Sequence, residues 1–577
     1  MGNYSSPGVY GNEIDISQVV PTISTTTAAI VFRGNQGDVT KIQMMPNTQQ
    51  FIQEYGTPVL GNPGHYSALA FLNNGTQLWC LRVQNGAKYG GVNIAYTGGT
   101  SAAIPTGFVT PNPPTYPTFS FTSGLDTLFQ VYAKDPGTWN NNIAISIINV
   151  GPGSGAGATG TISDWEFDIV VYELINGTYT VVETWRNVSR VPQINGNGGA
   201  EYLCAVINGN SNYIYIADST IASTTLPLAS TITSTYPQGV PVAMAGGTNG
   251  SAVTDAQMGG VIGSGIGWDL FSNPEVVDIR ILIGAGAGGS LGSGGAIVNP
   301  INQIDPGGST TVATQEVILN IAQTRKDCIA IFDVPSTACA TSATVTTWRN
   351  TTQNFNSSYA SLYAPWVTVY DSYNAQLVTL PPSGYIGSAL AANDQVAQTW
   401  YAPAGLNRGV LPVLSVKPIW AQGDRDLLYS NGINPIQNFT GEGIVIWGQK
   451  TEQYLASALD RVNVRRLLII LEKSISIGLK SFVFEPNNSD TWFRVTAMCN
   501  QYLSQLSAQG AFETSNGDPG YDVICDTTNN TPQSIDSEIL NVSIFVKPIR
   551  CAEIIQLSVV ITPTGATYTE AITATGA

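Results

Sequence analysis

Histidine is almost absent from this chain. His65 is the one histidine among its 577 residues. A hydrolase of the G-x-S-x-G type needs a histidine after its serine, and the matching segment, residues 288–292, comes long after His65. A zinc site with two histidines is excluded as well. The chain has no G-x-x-x-x-G-K-S/T segment, which excludes a P-loop motor. We therefore predict a protein that is not an enzyme, with no cofactor and no metal site, and we interpret His65 as a packing or surface residue.

A glycine-rich segment, residues 284–289, matches G-x-G-x-x-G directly after a predicted strand. A dinucleotide site also needs a helix after the glycines, because the helix N-terminus holds the pyrophosphate. The residues that follow, SLGSGGAIVNP, form helices poorly. We therefore interpret the segment as a flexible loop.

Paired cysteines and long apolar runs are also missing. The seven cysteines are an odd number and include no C-x-x-C pair, which favours buried thiols in a reducing compartment over a disulfide framework. No Lys or Arg precedes Arg33, and no early apolar run is of the signal-peptide type. No stretch reaches the roughly 20 apolar residues of a membrane span. We expect the protein to fold in a cytoplasm and to insert into no membrane.

Charged residues are scarce, at 11% of the chain, and their formal sum is −16. A general nucleic-acid binder needs a basic surface that displaces counterions, so we predict no nucleic-acid partner. The surface must consist largely of Ser, Thr, Asn, Gln and Gly. Such a surface suits packing against many copies of the same chain, because few ions lose their hydration at each contact.

The hydrophobic patterns predict a mixed α+β chain of several domains, with a discontinuous α/β core, an inserted all-β domain, an α/β C-terminal domain and extended arms at both ends. Residues 96–250 are rich in Gly, Pro, Thr, Ser and Asn and show short alternating runs, which favours the all-β insertion on an outer surface. The predicted segments are an N-terminal arm (1–20), the first part of the core (21–95), the insertion (96–250), the second part of the core (251–430), the C-terminal domain (431–555), and a C-terminal strand and arm (556–577).

Individual elements can also be predicted. Buried strands are expected at 277–286, 328–336 and 364–371, where apolar runs are bounded by turn residues. A helix capped by Asn47 should end near Tyr55, and another should lie between Thr311 and Arg325. In the C-terminal region we expect one helix within 449–480, a second from Asp490 to Gln509 with Asp490 as its cap, and strands at 540–546 and 555–561.

The two ends of the chain are strand-like but too short to form a core. Ile14 and Ile16 fall on one face of a short strand, with Glu13 and Asp15 on the other. Such segments need a sheet to join, in this molecule or in another. The residues that we expect to mediate contacts between subunits are Val9, Ile14, Ile16, Leu557, Val559 and Ile561.

The stretch 449–480 carries six basic and three acidic side chains in an otherwise acidic protein. One interpretation is a solvated helix face, or arginines that pair within the chain. The other is a basic strip that faces an acidic partner. The residues that would make this contact are Arg461, Arg465, Arg466 and Lys473.

Several segments together resemble contractile phage tail sheath proteins. The resemblance covers nearly the whole chain in the expected order, except residues 96–250. The segments that carry it are SPGVYGNEID (6–15), GWDLFSNPEVVDIRIL (267–282), SSYASLYAPW (357–366), PPSGYIGSAL (381–390), APAGLNRG (402–409), GINPI (432–436), GEGIVIWGQKT (441–451), LDRVNVRRLL (459–468), VFEPN (483–487) and VKPIRCAEII (546–555).

The resemblance implies a subunit that polymerises around an inner tail tube in an extended, metastable state. Contraction, triggered at the baseplate, then drives the tube through a cell envelope. It also implies a C-terminal domain against the tube, arms that exchange strands with neighbouring subunits, and a tail terminator protein as a further partner. The protein would be part of the virion and would be assembled in the host cytoplasm.

Two other interpretations stay open. A sheath from a contractile bacteriocin or injection system would share the fold and the mechanism. A β-rich adhesin or surface-layer protein would share the Thr-, Gly- and Asn-rich composition. The missing signal peptide and the basic, helical C-terminal region count against the adhesin.

Overall fold

The computed structural model describes residues 20, 23–95, 127–149, 166–175, 177–190, 202–218, 239–251, 253–260, 263–285, 308–309, 312–515 and 517–555. They form two compact units, a larger one within residues 23–477 and a smaller one made of Val20 and residues 478–555. None of the described helices is both long enough and apolar enough to cross a membrane.

The described strands are β1 Thr27–Arg33, β2 Gln43–Met45, β3 Gln77–Val83, β4 Gly91–Ala95, β5 Thr127–Ala133, β6 Ile143–Ile148, β7 Phe167–Ile175, β8 Thr178–Val188, β9 Ile214–Asp218, β10 Val242–Ala243, β11 Val253–Thr254, β12 Ile281–Ile283, β13 Gly308–Ser309, β14 Ile329–Asp333, β15 Ala360–Ala364, β16 Val367–Asp371, β17 Gln376–Leu380, β18 Ser415–Val416, β19 Ile433–Phe439, β20 Gly443–Ile446, β21 Tyr521–Ile524 and β22 Ser543–Val546. The described α-helices are α1 Thr48–Tyr55, α2 Pro63–Leu72, α3 Leu203–Ile207, α4 Asp255–Met258, α5 Val312–Arg325, α6 Ser342–Thr347, α7 Ser383–Val396, α8 Gln422–Ser430, α9 Val462–Leu479, α10 Ser489–Ala508 and α11 Pro532–Asp536. A π-helix, Trp348–Gln353, follows α6.

The larger unit is built on an eight-stranded sheet with the order β2-β3-β1-β12-β14-β15-β19-β20. The strands from β3 to β19 run parallel, and the outer strands β2 and β20 are antiparallel to their neighbours. Parallel strands require crossover connections, which here contain α2, α5 and α7. A parallel sheet covered on both faces consists of continuous apolar strands, and β14 is buried along its whole length.

Each face of this sheet has its own apolar core. Along β1, Ile30 lies in one core with Phe71 of α2 and Ile386 of α7. The next residue, Val31, lies in the other core with Ile318 of α5. Full burial of such a side chain contributes about 1.5–3 kcal/mol, so packing on both faces holds the helices to the sheet.

The strand predicted at residues 364–371 is two separate strands in the structure. We expected residues 364–371 to be buried on both faces, but the strand of the main sheet is β15, Ala360–Ala364. Pro365 has no N–H and cannot extend a central strand. The following strand, β16, instead forms a separate three-stranded antiparallel sheet with β17 and β18, and its middle residues are partly exposed.

The described part of 96–250 has its own apolar core, which includes Phe129, Ile145, Ile169 and Ile214. Two antiparallel sheets, β10-β6-β7-β8 and β4-β5-β9, enclose it. The first strand of the second sheet, β4, begins at Gly91, before the predicted boundary at residue 96. This region also contains the one-turn helix α3, so its described residues are not exclusively strands and loops.

The chain enters and leaves this β-rich region through paired segments. The N–H of Lys88 donates to the carbonyl of Thr248 (2.9 Å), and the N–H of Gly91 donates to the carbonyl of Ala245 (3.0 Å). Residues 88–91 and 245–248 therefore lie side by side, as two antiparallel segments.

Local signals predicted α1 and the end of α5 correctly and one helix cap incorrectly. The side chain of Asn47 accepts from the N–H of Gln50 (2.9 Å) at the start of α1, and α5 ends at Arg325 as expected. At α10 the cap is Asn488, which accepts from Thr491 N–H (3.0 Å), while Asp490 lies in the first turn. Both residue types cap helices well, so composition alone does not choose between them.

His65 and most of the cysteines pack inside the protein. His65 is fully buried beside the rings of Phe32 and Phe51, at centroid distances of 5.2 and 5.6 Å. Its burial lowers its pKa to about 4. Six of the seven cysteines are buried free thiols, and Cys551 is exposed.

The boundary predicted at 430/431 falls inside the larger unit. Strands β19 and β20 complete the eight-stranded sheet, and the compact units separate at 477/478, within α9. The predicted helix of 449–480 is shorter than its sequence window and begins at Val462. The smaller unit consists chiefly of α10 and the two-stranded sheet β21-β22.

Candidate functional site

The predicted basic strip lies on α9 and on the residue before it, Arg461, in the larger unit. Arg466 makes a bidentate salt bridge with Asp394 of α7. Its Nη1 lies 3.0 Å from Oδ1 of Asp394, and its Nη2 lies 2.6 Å from Oδ2. The two side chains are 4% and 3% exposed. This guanidinium therefore neutralises a carboxylate inside the chain.

Lys473, two turns further along α9, also pairs internally. Its Nζ lies 2.9 Å from Oδ2 of Asp327 and 3.6 Å from Oδ1 of Asp278. Asp327 also accepts from the buried Arg325 at 2.9 Å. The lysine therefore completes an ion-pair network at the C-terminal end of α5.

Arg465 is buried against an aromatic ring. Its guanidinium carbon lies 4.2 Å from the centre of the Tyr359 ring, and it donates to the hydroxyl of Ser358. Burial lowers the pKa of Arg465, an effect that Tyr359 and Glu472 oppose. The ring face offers the charge a partial replacement for water.

Arg461 is the most exposed of the four candidates, and its side chain is 26% exposed. It pairs with the adjacent Asp460 at 2.9 Å. The structure thus shows that Arg465, Arg466 and Lys473 bind partners within the chain, which is the first of the two interpretations of the strip. A contact between these residues and another protein stays a prediction.

The distribution of charge also differs from the expected one. Residues 478–555 carry four basic and nine acidic side chains, so the smaller unit is acidic. The basic residues of 449–473 belong to the larger unit. A partner that faces the smaller unit would therefore meet an acidic and apolar surface.

The second candidate site is the sheet β21-β22 in the smaller unit. The strands pair antiparallel, from Tyr521 opposite Val546 to Ile524 opposite Ser543. Within the described residues neither strand pairs with a third, so each has one open edge. A two-stranded sheet is marginally stable by itself, and open edges favour the addition of strands.

The backbone directions identify the open edge of β22. The N–H of Lys547 donates to the carbonyl of Gly520, and its own carbonyl accepts from Glu513 N–H, both at 2.8 Å. Odd-numbered residues of this segment therefore face β21. Because alternate residues point to opposite sides, Ile544 and Val546 direct their N–H and C=O groups to the open edge.

Apolar side chains on this sheet and in the chain after it are partly or largely exposed. Ile544 and Val546 are half-buried, whereas Phe545 is 58% exposed. Ile554 and Ile555, at the end of the described chain, are 83% and 87% exposed. Large apolar residues that are exposed in a folded unit are candidates for contact with a partner.

The predicted arm residues lie outside the described part of the chain. They are Val9, Ile14, Ile16, Leu557, Val559 and Ile561. The remainder of the glycine-rich loop, from residue 286, lies outside it too, whereas Gly284 and Ala285 directly follow β12.

The acidic partners Asp394 and Asp327 could not be predicted from the sequence. Asp394 precedes Arg466 by 72 residues, and Asp327 precedes Lys473 by 146. Such pairs depend on how α7 and α5 pack in three dimensions. The open sheet was foreseeable in part, because the alternation of Ile544 and Val546 is visible in the sequence.

Two family models match the chain. Residues 304–452 match the phage tail sheath protein central domain, and residues 456–562 match the phage tail sheath C-terminal domain. The family boundary near residue 455 thus lies after β20 and before α9.

Curated tail sheath proteins of two phages are similar to this chain. The protein of Enterobacteria phage T4 is 34% identical over 318 residues, which are 52% of this chain and 45% of the phage protein. The protein of Vibrio phage KVP40 is 30% identical over 345 residues, which are 57% of this chain and 47% of that protein. The chain therefore spans about half the length of the relatives that it matches.

A solved structure, a sheath tail protein from Listeria innocua, has a similar fold over most of its length. The TM-score is 0.53 at 12% identity, and the match covers 88% of this chain and 90% of that one. At this identity the match bears on the fold alone.

Proposed function

Since the chain has the central and C-terminal domains of phage tail sheath proteins, we propose that it is the structural subunit of a contractile tail sheath. The observation that carries the proposal is the 30–34% identity to tail sheath proteins over more than half of this chain. These relatives come from phages, which favours a phage tail over a bacteriocin or an injection system. The partners are further copies of this chain, an inner tail tube, a baseplate and a tail terminator.

In this proposal the protein does mechanical work and no chemistry. The sequence has no P-loop, so the work comes from free energy stored when the extended polymer assembles. A cooperative change of the contacts between subunits releases it. The ion pairs of α9 keep the larger unit of each subunit rigid, so that motion takes place between subunits rather than within that unit.

The open sheet β21-β22 is the proposed acceptor for strands from neighbouring subunits. Segments 1–20 and 556–577 supply the strands, because each is apolar on alternate residues and too short for a core. A strand that makes about five backbone hydrogen bonds, at roughly 1 kcal/mol net each, contributes several kcal/mol per junction. That value is comparable with the stability of a domain, about 5–15 kcal/mol.

Electron microscopy of the purified full-length protein tests the proposed function. We expect hollow, striated tubes that form without nucleotide and in the presence of a metal chelator. A protein that stays monomeric at high concentration, or that polymerises only with ATP, would contradict the proposal. Addition of a preformed tail tube should template the extended arrangement.

Removal of either arm should separate folding from assembly. We expect that deletion of residues 1–18, or of all residues after Thr562, leaves a folded, soluble monomer that does not polymerise, because the acceptor sheet stays unpaired. Circular dichroism and sedimentation velocity measure the two properties. Normal polymers from both truncations would show that other contacts alone hold the subunits together.

A further inference from the structure

A buried cluster in the larger unit contains two acceptor atoms that lack a donor. Glu452 is 0% exposed and accepts at Oε1 from Nε2 of Gln353, at 3.1 Å. Its other oxygen, Oε2, is buried and has no hydrogen-bond partner among the described residues, and the same holds for Oε1 of Gln353. Both atoms only accept while Glu452 is ionised, and buried polar atoms are almost always paired.

We propose that Glu452 carries its proton in this conformation and forms a carboxylic acid–amide pair with Gln353. The acid O–H at Oε2 then donates to Oε1 of Gln353, while Nε2 of Gln353 donates to Oε1 of Glu452. A single proton thus supplies the donor that both orphaned oxygens lack. The second N–H of the Gln353 amide is used as well, because it donates to Oε1 of Gln315 at 3.0 Å.

The surroundings contain one cation and several neutral groups. Burial raises the pKa of Glu452 to about 7, and the charge of Arg349 and the Gln353 hydrogen bond act in the opposite direction. Arg349 donates to the carbonyl of Phe355 (2.7 Å) and to the hydroxyl of Tyr454 (3.0 Å), and no acidic group lies within ion-pair distance of it among the described residues.

The other elements around Glu452 contribute no charge to it. Helix α5 contributes the neutral amide of Gln315, and β15 contributes the carbonyl of Ala360, which accepts from Glu452 N–H at 2.9 Å. On the same segment, the Lys450 ammonium lies 4.6 Å from the centre of the Tyr429 ring, and Asp460 and Arg461 pair with each other at 2.9 Å. Arg349 is thus the charged group that opposes protonation.

Glu452 occupies the segment that joins the sheet to α9, between β20 and Val462. This connector, residues 449–461, contacts the π-helix Trp348–Gln353 at three points. Besides the Gln353–Glu452 pair, Arg349 donates to the carbonyl of Glu452 at 3.2 Å and to the hydroxyl of Tyr454 at 3.0 Å. π-Helical turns occur frequently at functional sites. The proton therefore holds the connector to the π-helix, and ionisation of Glu452 loosens it.

The sign of the pH dependence follows from the two protonation states. An unfolded glutamate has a pKa of about 4.3, so the folded state binds this proton more tightly than the unfolded state does. The stabilisation is complete below that pH and is lost as the pH rises through the pKa of the folded state, about 7. The connector is thus most firmly attached in mildly acidic solution.

Glu452→Gln tests the proposal in the full-length protein, because an amide has the shape and the donor of the protonated acid. Between about pH 5 and pH 8, the melting temperature of the wild type should fall by roughly 3 °C more than that of the variant. Hydrogen exchange of residues 449–461, corrected for the intrinsic effect of pH, should accelerate at alkaline pH in the wild type only. Glu442→Gln, at an exposed position in the β19–β20 turn, is the matched control and should behave as the wild type does.

Infrared difference spectra between the wild type and Glu452→Gln detect the proton directly. A carboxylic-acid carbonyl band should be present at mildly acidic pH, should be lost near neutrality and should be missing from the variant. The comparison with the variant separates this band from that of Asp135, since burial also raises the pKa of Asp135 to about 7. If Glu452→Gln does not fold, Glu452→Met, which cannot ionise, takes its place. Equal pH profiles of wild type and variant, or no such band, would overturn the proposal.

Discussion

Val546→Pro should leave a folded monomer that polymerises poorly. The N–H of Val546 points to the open edge of β22, away from β21, so its loss breaks no pairing within the described chain. A strand that adds at this edge loses one hydrogen bond and meets the proline ring. Pro548 already removes the donor at the next outward position. We expect the critical concentration for polymerisation to rise about tenfold or more, as measured by sedimentation.

The control is Val546→Thr, which keeps both the β-branched shape and the N–H. It should polymerise at nearly the wild-type concentration. The melting temperatures of both variants should stay close to that of the wild type. Unimpaired assembly of Val546→Pro would mean that neighbouring strands add at the other open edge, along β21, or at another site.

Asp394→Asn should destabilise the larger unit by about 3 kcal/mol, because loss of one partner of a buried ion pair leaves the other charge uncompensated. The guanidinium of Arg466 is 4% exposed and cannot turn to water without displacing α7 or α9. Thermal unfolding of the purified variant measures the loss. We expect lower yields of soluble protein as well.

Two control variants distinguish the loss of a buried ion pair from a general effect of the substitution. The double variant Asp394→Leu with Arg466→Met removes both charges and should recover most of the stability, since apolar residues of similar volume can replace a buried pair. Glu485→Gln breaks the Glu485–Arg494 pair, whose side chains are 41% and 38% exposed, and should cost less than about 1 kcal/mol. A small effect of Asp394→Asn would show that Arg466 reaches solvent and is available to a tube.

Local patterns in the sequence were sufficient to predict a strand or a helix cap where that element depends on neighbouring residues in the chain. The apolar run around β14 and the cap at Asn47 are of this kind, and the structure has both where they were expected. The run at 364–371 misled because Pro365 separates two strands that belong to different sheets. An apolar run shows that a segment is buried, but it does not identify the sheet that the segment joins.

The roles of the α9 residues could not be predicted for a related reason. An excess of basic residues on one helix is equally consistent with a binding surface and with internal ion pairs, and the deciding carboxylates lie far away in sequence. Asp394 lies opposite Arg466 because α7 and α9 contribute side chains to the same apolar core of the larger unit. The proposed protonation of Glu452 could not be predicted from the sequence either, since it depends on an amide and an arginine of the π-helix.

The β-rich region between residues 91 and 245 has a consequence for how such chains diversify. Its entry and exit strands lie side by side, so its two ends are about 5 Å apart, the spacing of paired strands. A different module whose termini are equally close can occupy the same position without changing the path of the remaining chain, and closure of the loop then costs little entropy. Recombination can thus exchange the module while the eight-stranded sheet is inherited unchanged.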